Sequence, residues 1–170
     1  MPHGICLGPD RSLFGGVRDV SVRGLPLLKP PYGTIAAFDL TRGDKLWEIP
    51  NGETPDAIRN HPALAGAKMG RTGRAGQPPG ALATKTLLIV AEPGYGPTPN
   101  GVRGSMLRAY DKRTGRELAA LQLPAPQSGS PMTYMRNERQ YLVIAVSAND
   151  YPGELLAYAL PQARPAAAAE

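Results

Sequence analysis

"AAFDLTRGDKLW", from Ala36 to Trp47, is echoed by "RAYDKRTGRELA", from Arg108 to Ala119. Both carry Ala-x-Asp-x-x-x-Gly, as Ala37, Asp39 and Gly43 in the first copy and Ala109, Asp111 and Gly115 in the second. The spacing has a mechanical reading. A strand ends at the Asp, a turn follows in which Gly takes a positive φ, and a second strand returns. The Asp carboxylate accepts hydrogen bonds from turn N–H groups and sets the hairpin register. Trp47, the one tryptophan, lies four residues past Gly43 and is expected to pack flat on a neighbouring repeat. The phrase is therefore read as structural, not catalytic.

A third segment, "LLAYALP" (Leu155–Pro161), keeps only the Ala-aromatic pair. The pairs Ala37-Phe38, Ala109-Tyr110 and Ala157-Tyr158 are separated by 72 and 48 residues. The second spacing is close to one four-stranded propeller blade of about 40–50 residues, and the first allows a blade with an insertion of roughly 25. Strand signals flank each repeat. They are Val17–Gly24, Asp44–Pro50, Lys85–Glu92, Arg116–Pro124, Pro131–Met135 and Gln140–Ser147, with a hairpin turn at Asn137-Glu138. The blade portions are placed at about 17–50, 81–124 and 128–161 within one unit spanning 1–160, and 161–170 is expected to be disordered. The insertion at 51–80 should hold one short helix over Pro55–Asn60, N-capped by Thr54 and ending before Pro62. With 20 Gly and 19 Pro, long helices are excluded.

Hydrophobic residues at 42% allow a buried core. The net charge of +5 comes from scattered residues, among them Arg71, Arg74, Arg103, Arg108, Lys112, Arg113, Arg116, Arg136 and Arg139. Without interleaved aromatics they read as a solvated basic surface, and no nucleic-acid partner is assigned. The one cysteine, Cys6, permits no intramolecular disulfide. The first residues lack the pattern of a signal peptide, and the apolar run Leu87–Ala91 is too short to cross a membrane.

Ala37, Asp39, Gly43 and Trp47 resemble the tryptophan-docking motif of quinoprotein dehydrogenases, eight-bladed propellers that hold pyrroloquinoline quinone (PQQ). Ala109, Asp111, Thr114, Gly115 and Arg116 match it too, with Ala119 at the tryptophan position. "GLPLLKPPYGTIAAFDL", "GETPDAIRNHPAL", "LRAYDKRTGREL", "SPMTYMRNERQYLVIAV" and "LLAYALP" look like successive parts of the C-terminal end of the glucose and polyol dehydrogenase branch. The resemblance implies an all-β partial β-propeller of two to three antiparallel four-stranded blades, with one short helix in an inter-blade insertion. It implies oxidation of a sugar or polyol hydroxyl with PQQ as hydride acceptor, Ca²⁺ polarising the acceptor carbonyl, and a periplasmic location. A chain expressed as written, without a signal peptide, would stay cytoplasmic.

In that family the catalytic carboxylate and most cofactor contacts lie upstream, so no catalytic or metal-binding residue is assigned to this chain. The last blade would lack its outermost strand, and open sheet edges invite the remaining blades or self-association. Loops on the mouth of such a ring are Leu27–Gly33, Glu92–Gly104 and Ser147–Gly153, with 51–80 and 125–130 between blades. They supply the candidate cofactor-binding residues Lys29, Tyr32, Glu92, Tyr95, Asn149 and Asp150. "SANDYPG" departs here from a glycine-rich stretch of the family.

Other features point elsewhere. His61 reads as a cap or surface residue, and no zinc-ligand spacing occurs. "GRTGRAG" (Gly70–Gly76) follows no strand and opens no helix, so it is no phosphate loop. Ser128 and Ser130 lack a triad setting. Two functions follow: part of a PQQ oxidoreductase that is inactive alone, or a non-catalytic module for binding or assembly.

Overall fold

The computed structural model describes residues 6–7, 13–14, 21–76, 80–97 and 103–161. Two short antiparallel ribbons come first: β1 (Cys6–Leu7) with β2 (Leu13–Phe14), and β3 (Ser21–Val22) with β4 (Leu25–Pro26). Of the strand expected over Val17–Gly24, only β3 is seen, and residues 17–20 lie outside the described residues. The hairpin β5 (Thr34–Phe38) and β6 (Lys45–Pro50) carries the first repeated phrase. Next come α1 (Asp56–Arg59) and a 3-10 turn at Pro62–Leu64.

The central sheet comprises β7 (Ala81–Ala83), β8 (Leu87–Ala91), β9 (Gly96–Pro97), β10 (Arg103–Asp111) and β11 (Glu117–Leu123). Its order is β11-β10-β8-β7, with β9 pairing only the start of β10. The last sheet is the meander β12 (Met132–Arg136), β13 (Arg139–Ala148) and β14 (Tyr151–Ala159). All ladders are antiparallel, and the last sheet stops at three strands among the described residues. Asn137 and Glu138 join β12 to β13 with φ of 48° and 59°. This is the expected hairpin turn, in the doubly left-handed form that matches strand twist.

The insertion corrects one expectation. α1 begins at Asp56 with Pro55 as N-cap, and no side chain caps it. Thr54, expected to cap, is 2% exposed and donates its hydroxyl to the Gly70 carbonyl at 2.9 Å. A buried hydroxyl must be hydrogen-bonded, and the returning chain offers the nearer acceptor. His61 caps the 3-10 turn instead, accepting from the Ala63 N–H at 3.2 Å.

Strand alternation divides the central sheet into two unlike faces. Ile89, Ala91 and Leu107 face Ile144 and Val146 of β13, with Leu123 and Ala125 completing a dry apolar core. Gln127 stitches this junction: its Oε1 accepts from the Ala91 N–H at 3.3 Å, and its Nε2 donates to the Gly80 carbonyl at 2.8 Å. The residues between, Arg108 and Tyr110, belong to the opposite face, in register with Val90 and Leu88. That face meets the first hairpin and the insertion.

The two repeated turns are built alike. The Gly43 N–H bonds the Asp39 carbonyl at 2.7 Å, and the Gly115 N–H bonds the Asp111 carbonyl at 2.8 Å. The Asp39 carboxylate accepts from the Thr41 N–H at 2.9 Å. The Asp111 carboxylate accepts from the Arg113 and Thr114 N–H groups, each at 2.9 Å, and from the Thr114 hydroxyl at 3.0 Å. These bonds, led by that of the Thr114 N–H, hold the Asp111 carboxyl below its ordinary pKa.

The first phrase then docks on the second. The Trp47 indole lies on Gly115, and its Nε1–H donates to the Lys112 carbonyl at 3.1 Å. Gly115 has a φ of +71°, and a Cβ there would sit 2.8 Å from the indole carbons. Glycine is thus required twice over, by the backbone and by the ring. Replacing Trp47 with Ala should cost about 2–4 kcal/mol by urea denaturation, since a half-buried indole and its hydrogen bond are both lost. Gly115→Ala should cost more than about 1 kcal/mol, because it adds strain and displaces the ring. Gly43→Ala, where nothing lies within 4 Å, should show the backbone part alone.

Candidate functional site

The inner face of β10 holds a buried guanidinium. Arg108 is 1% exposed. Its Nε donates to Glu92 Oε1 at 2.6 Å, its Nη1 to Glu117 Oε1 at 2.9 Å, and its Nη2 to Glu53 Oε1 at 3.1 Å. Arg71 bridges the same carboxylates, with Glu53 Oε1 at 2.8 Å and Glu117 Oε2 on its other arm. Arg59 reaches Glu53 at 3.5 Å, and Arg74 reaches Glu92 at 3.9 Å. Three carboxylates therefore sit among four guanidinium groups. Burial raises the Glu117 carboxyl, but the Arg71 hydrogen bond and the charges of Arg108 and Arg71 outweigh it, so its pKa is lowered. Tyr110 stands beside the cluster with its hydroxyl buried and unpartnered, and burial pushes its phenol up to about 12.

The reading of the basic residues as a solvated surface is corrected here for Arg74 and Arg108, which are buried; Arg71 is exposed but ion-paired. A buried charge persists only when paired, and these two are spent on acids of the insertion and the central sheet. The sequence carries one signal for this. Arg108 falls two residues from both Met106 and Tyr110 on one face of an otherwise apolar strand.

The loops expected on the mouth lie in series. The Tyr32 N–H donates to the Thr72 carbonyl at 2.7 Å, and the Asn51 N–H to the Gly33 carbonyl at 2.8 Å. The Arg74 N–H returns to the Asn51 carbonyl at 2.9 Å, and the Arg74 guanidinium donates to the Tyr95 carbonyl. A Cβ on Gly33 would fall on the Arg74 carbonyl, and one on Gly73 would fall on the Gly33 carbonyl. The glycines of "GRTGRAG" thus let two backbones touch. Tyr95 lies beside the last loop: its phenol is raised by burial and by the charge of Asp150. A cavity of about 400 Å³ opens between Pro55, Asp56, Arg74, Pro93 and Tyr95.

The six candidate residues divide accordingly. Tyr32 is half-buried in the first loop, and Lys29 is exposed ahead of it. Tyr95 and Asp150 are brought together, and Asn149 and Asp150 are exposed at the β13–β14 turn. Glu92 is 4% exposed, with Oε1 held by Arg108 and Oε2 facing the Glu53 N–H at 3.4 Å. Its carboxylate is committed to the ion cluster. Asn51, absent from the sequence-based set, is buried with its side-chain oxygen unpartnered. Among the described residues no group of three or more His, Cys, Asp or Glu has metal-binding geometry. No helix among them is long and apolar enough to cross a membrane.

Meandering antiparallel sheets and a tryptophan clasp between consecutive repeats are the architecture of a quinoprotein propeller. The chain belongs to the PQQ-dependent dehydrogenase family: residues 14–142 match the glucose/ethanol/alcohol dehydrogenase β-propeller domain. It is 30% identical over 151 residues to a quinate/shikimate dehydrogenase (quinone) of Acinetobacter baylyi, covering 84% of this chain and 17% of that protein. It is 31% identical over 168 residues to a quinoprotein glucose dehydrogenase of Escherichia coli, covering 95% and 18%. It is 31% identical over 170 residues to a glycerol dehydrogenase large subunit of Gluconobacter thailandicus, covering 95% and 20%. The chain therefore spans about a fifth of the length of these relatives. Comparison with solved structures finds no significant match.

Arg108→Met should destabilise the chain by about 3–5 kcal/mol, because Glu92 is left buried without its partner. Arg108→Lys should recover little of this, since one ammonium cannot replace a fork serving three carboxylates. Glu117 adds a pH dependence. Its folded pKa is lowered, so its contribution is present above the ordinary glutamate value of about 4.3 and is lost as the pH falls through the folded value. Denaturation measured between about pH 6 and 3 should show stability falling on acidification, less steeply in Glu117→Gln.

Proposed function

We propose that this chain forms an arc of the ring in which a PQQ-dependent dehydrogenase oxidises a hydroxyl of a sugar or polyol, and that it turns over only within that ring. The observation that carries the reading is the Trp47 clasp on Gly115 inside a family match spanning most of the chain. Glucose, quinate or shikimate, and glycerol are named for the relatives, and all are small polyhydroxylated molecules.

PQQ, when bound, supplies the two-electron acceptor. It is a flat trianion that needs cationic or N–H donors and apolar faces for its rings. The residues present fit one rim of such a site. Lys29 would hold a carboxylate, Tyr32 and Tyr95 would offer ring faces, and Asn149 would donate from its amide. Asp150 would orient Tyr95. Glu92 would act through Arg108 and the insertion, not by contact. The catalytic carboxylate and any Ca²⁺ ligands would come from the rest of the ring, in the periplasm.

The remaining blades would cover the outer face of the last sheet, where Met132 and Leu155 are 52% and 74% exposed. Without those blades the same face and the free edge of β14 would favour self-association. That exposure is also what favours the second reading, a non-catalytic assembly module.

One experiment separates the readings. The purified chain, mixed with PQQ and Ca²⁺, should not reduce a dye with glucose, quinate or glycerol; clear turnover would overturn the proposal. In a chimera, this chain replaces the matching segment of the E. coli relative. PQQ-dependent dye reduction should persist there and should fall in the Gly115→Ala version. A folded but inactive chimera would favour the assembly module.

A further inference from the structure

A second cleft, of about 450 Å³, lies beside the ion cluster between the Pro30–Tyr32 loop, the end of β6 and the segment from α1 to Thr72. Its walls are apolar: Pro31, Tyr32, Ile58, Leu64 and Met69. Ile58 is 5% exposed and forms the floor. Among the described residues no carboxylate lines it.

Two cations do line it, and they are not equivalent. Arg71 is ion-paired with Glu53 and Glu117, which it shares with Arg108. Lys68 is exposed at the rim, and among the described residues it makes no ion pair or hydrogen bond. Of its two cations, only Lys68 therefore stands without an ion pair among the described residues, above an apolar trough. Its volume is within the range of small-ligand sites, roughly 300–1,000 Å³.

We propose that this cleft binds a medium-chain monocarboxylate, with its carboxylate on Lys68 and its hydrocarbon body against Tyr32, Ile58, Leu64 and Met69. The charge count selects a monoanion. A phosphate dianion or a trianionic quinone would need further free cations, and Arg71 is not one. The apolar walls select hydrocarbon over a polyol, whose hydroxyls would lose water without gaining partners. The cleft shares Tyr32 with the redox reading, but none of its residues is asked to do chemistry, and titration with PQQ separates the two.

Isothermal titration of the full chain with octanoate, octanol and PQQ tests it. Octanoate should bind at least about tenfold more tightly than octanol, the value of one charge-assisted hydrogen bond. Lys68→Gln should remove that preference and Lys68→Arg should restore it, since neither change touches a packed residue. Leu64→Trp, which fills the trough, should abolish binding of both at unchanged thermal stability. Equal affinity for octanol and octanoate would overturn the proposal, as would an unaffected Lys68→Gln. So would displacement of octanoate by PQQ, which would make the cleft part of the cofactor site. Self-association of the chain that Leu64→Arg abolishes would make the occupant a second copy and would equally overturn it.

Discussion

The constraint on which the rest depends is the burial of one guanidinium. Arg108 cannot be left alone at 1% exposure, so three carboxylates must converge on it from separate parts of the chain. Glu92 comes from the end of β8, Glu117 from β11 and Glu53 from the insertion. Once Glu53 is drawn in, Arg71 follows to bridge it to Glu117. The insertion is thereby held against the central sheet at Glu53 and at Arg71. Such a cluster adds little net stability over an apolar core, but its geometry is exacting, and removing one member exposes the others to the full desolvation cost.

The two junctions of the structure use different physics for that reason. Between the central and last sheets, Leu107, Ile89, Ile144 and Val146 exclude water and tolerate adjustment. Between the first hairpin and the central sheet, contacts are directional: the ion cluster inside and the Trp47 clasp at the turn. The clasp needs a flat landing site, which Gly115 provides and no residue with a Cβ would. Ala119 stands where a second clasp would begin, and the apolar core takes over its duty at the next junction.

The mouth inherits its shape from these junctions. Strand-like hydrogen bonds link Tyr32 to Thr72, and Asn51 to both Gly33 and Arg74. The Arg74 guanidinium then donates to the Tyr95 carbonyl. The Arg74 side chain therefore joins the ion cluster to these loops. Lys68 and its apolar trough adjoin the same loops, through Tyr32 and Thr72.

Local features are legible in the sequence. Strand signals place β5, β6, β8 and β11–β14, because the face a residue occupies depends only on its neighbours along the chain. The Asp-x-x-x-Gly turns, the hairpin at Asn137-Glu138, the cap at His61 and the partner-seeking Trp47 are legible for the same reason. Thr54 reads as a helix cap, but its acceptor, the Gly70 carbonyl, is sixteen residues away and unsignalled. Glu92 reads as a mouth residue, whereas its commitment to Arg108 depends on the β8–β10 register. Arg74 and Arg108 read as surface charge because a sequence shows the sign of a residue, not its burial. The sequence by itself determined strands, turns and family. The tertiary structure alone decided which charges are spent inside, since pairing between residues up to 55 positions apart is set by how sheets stack and not by any local pattern.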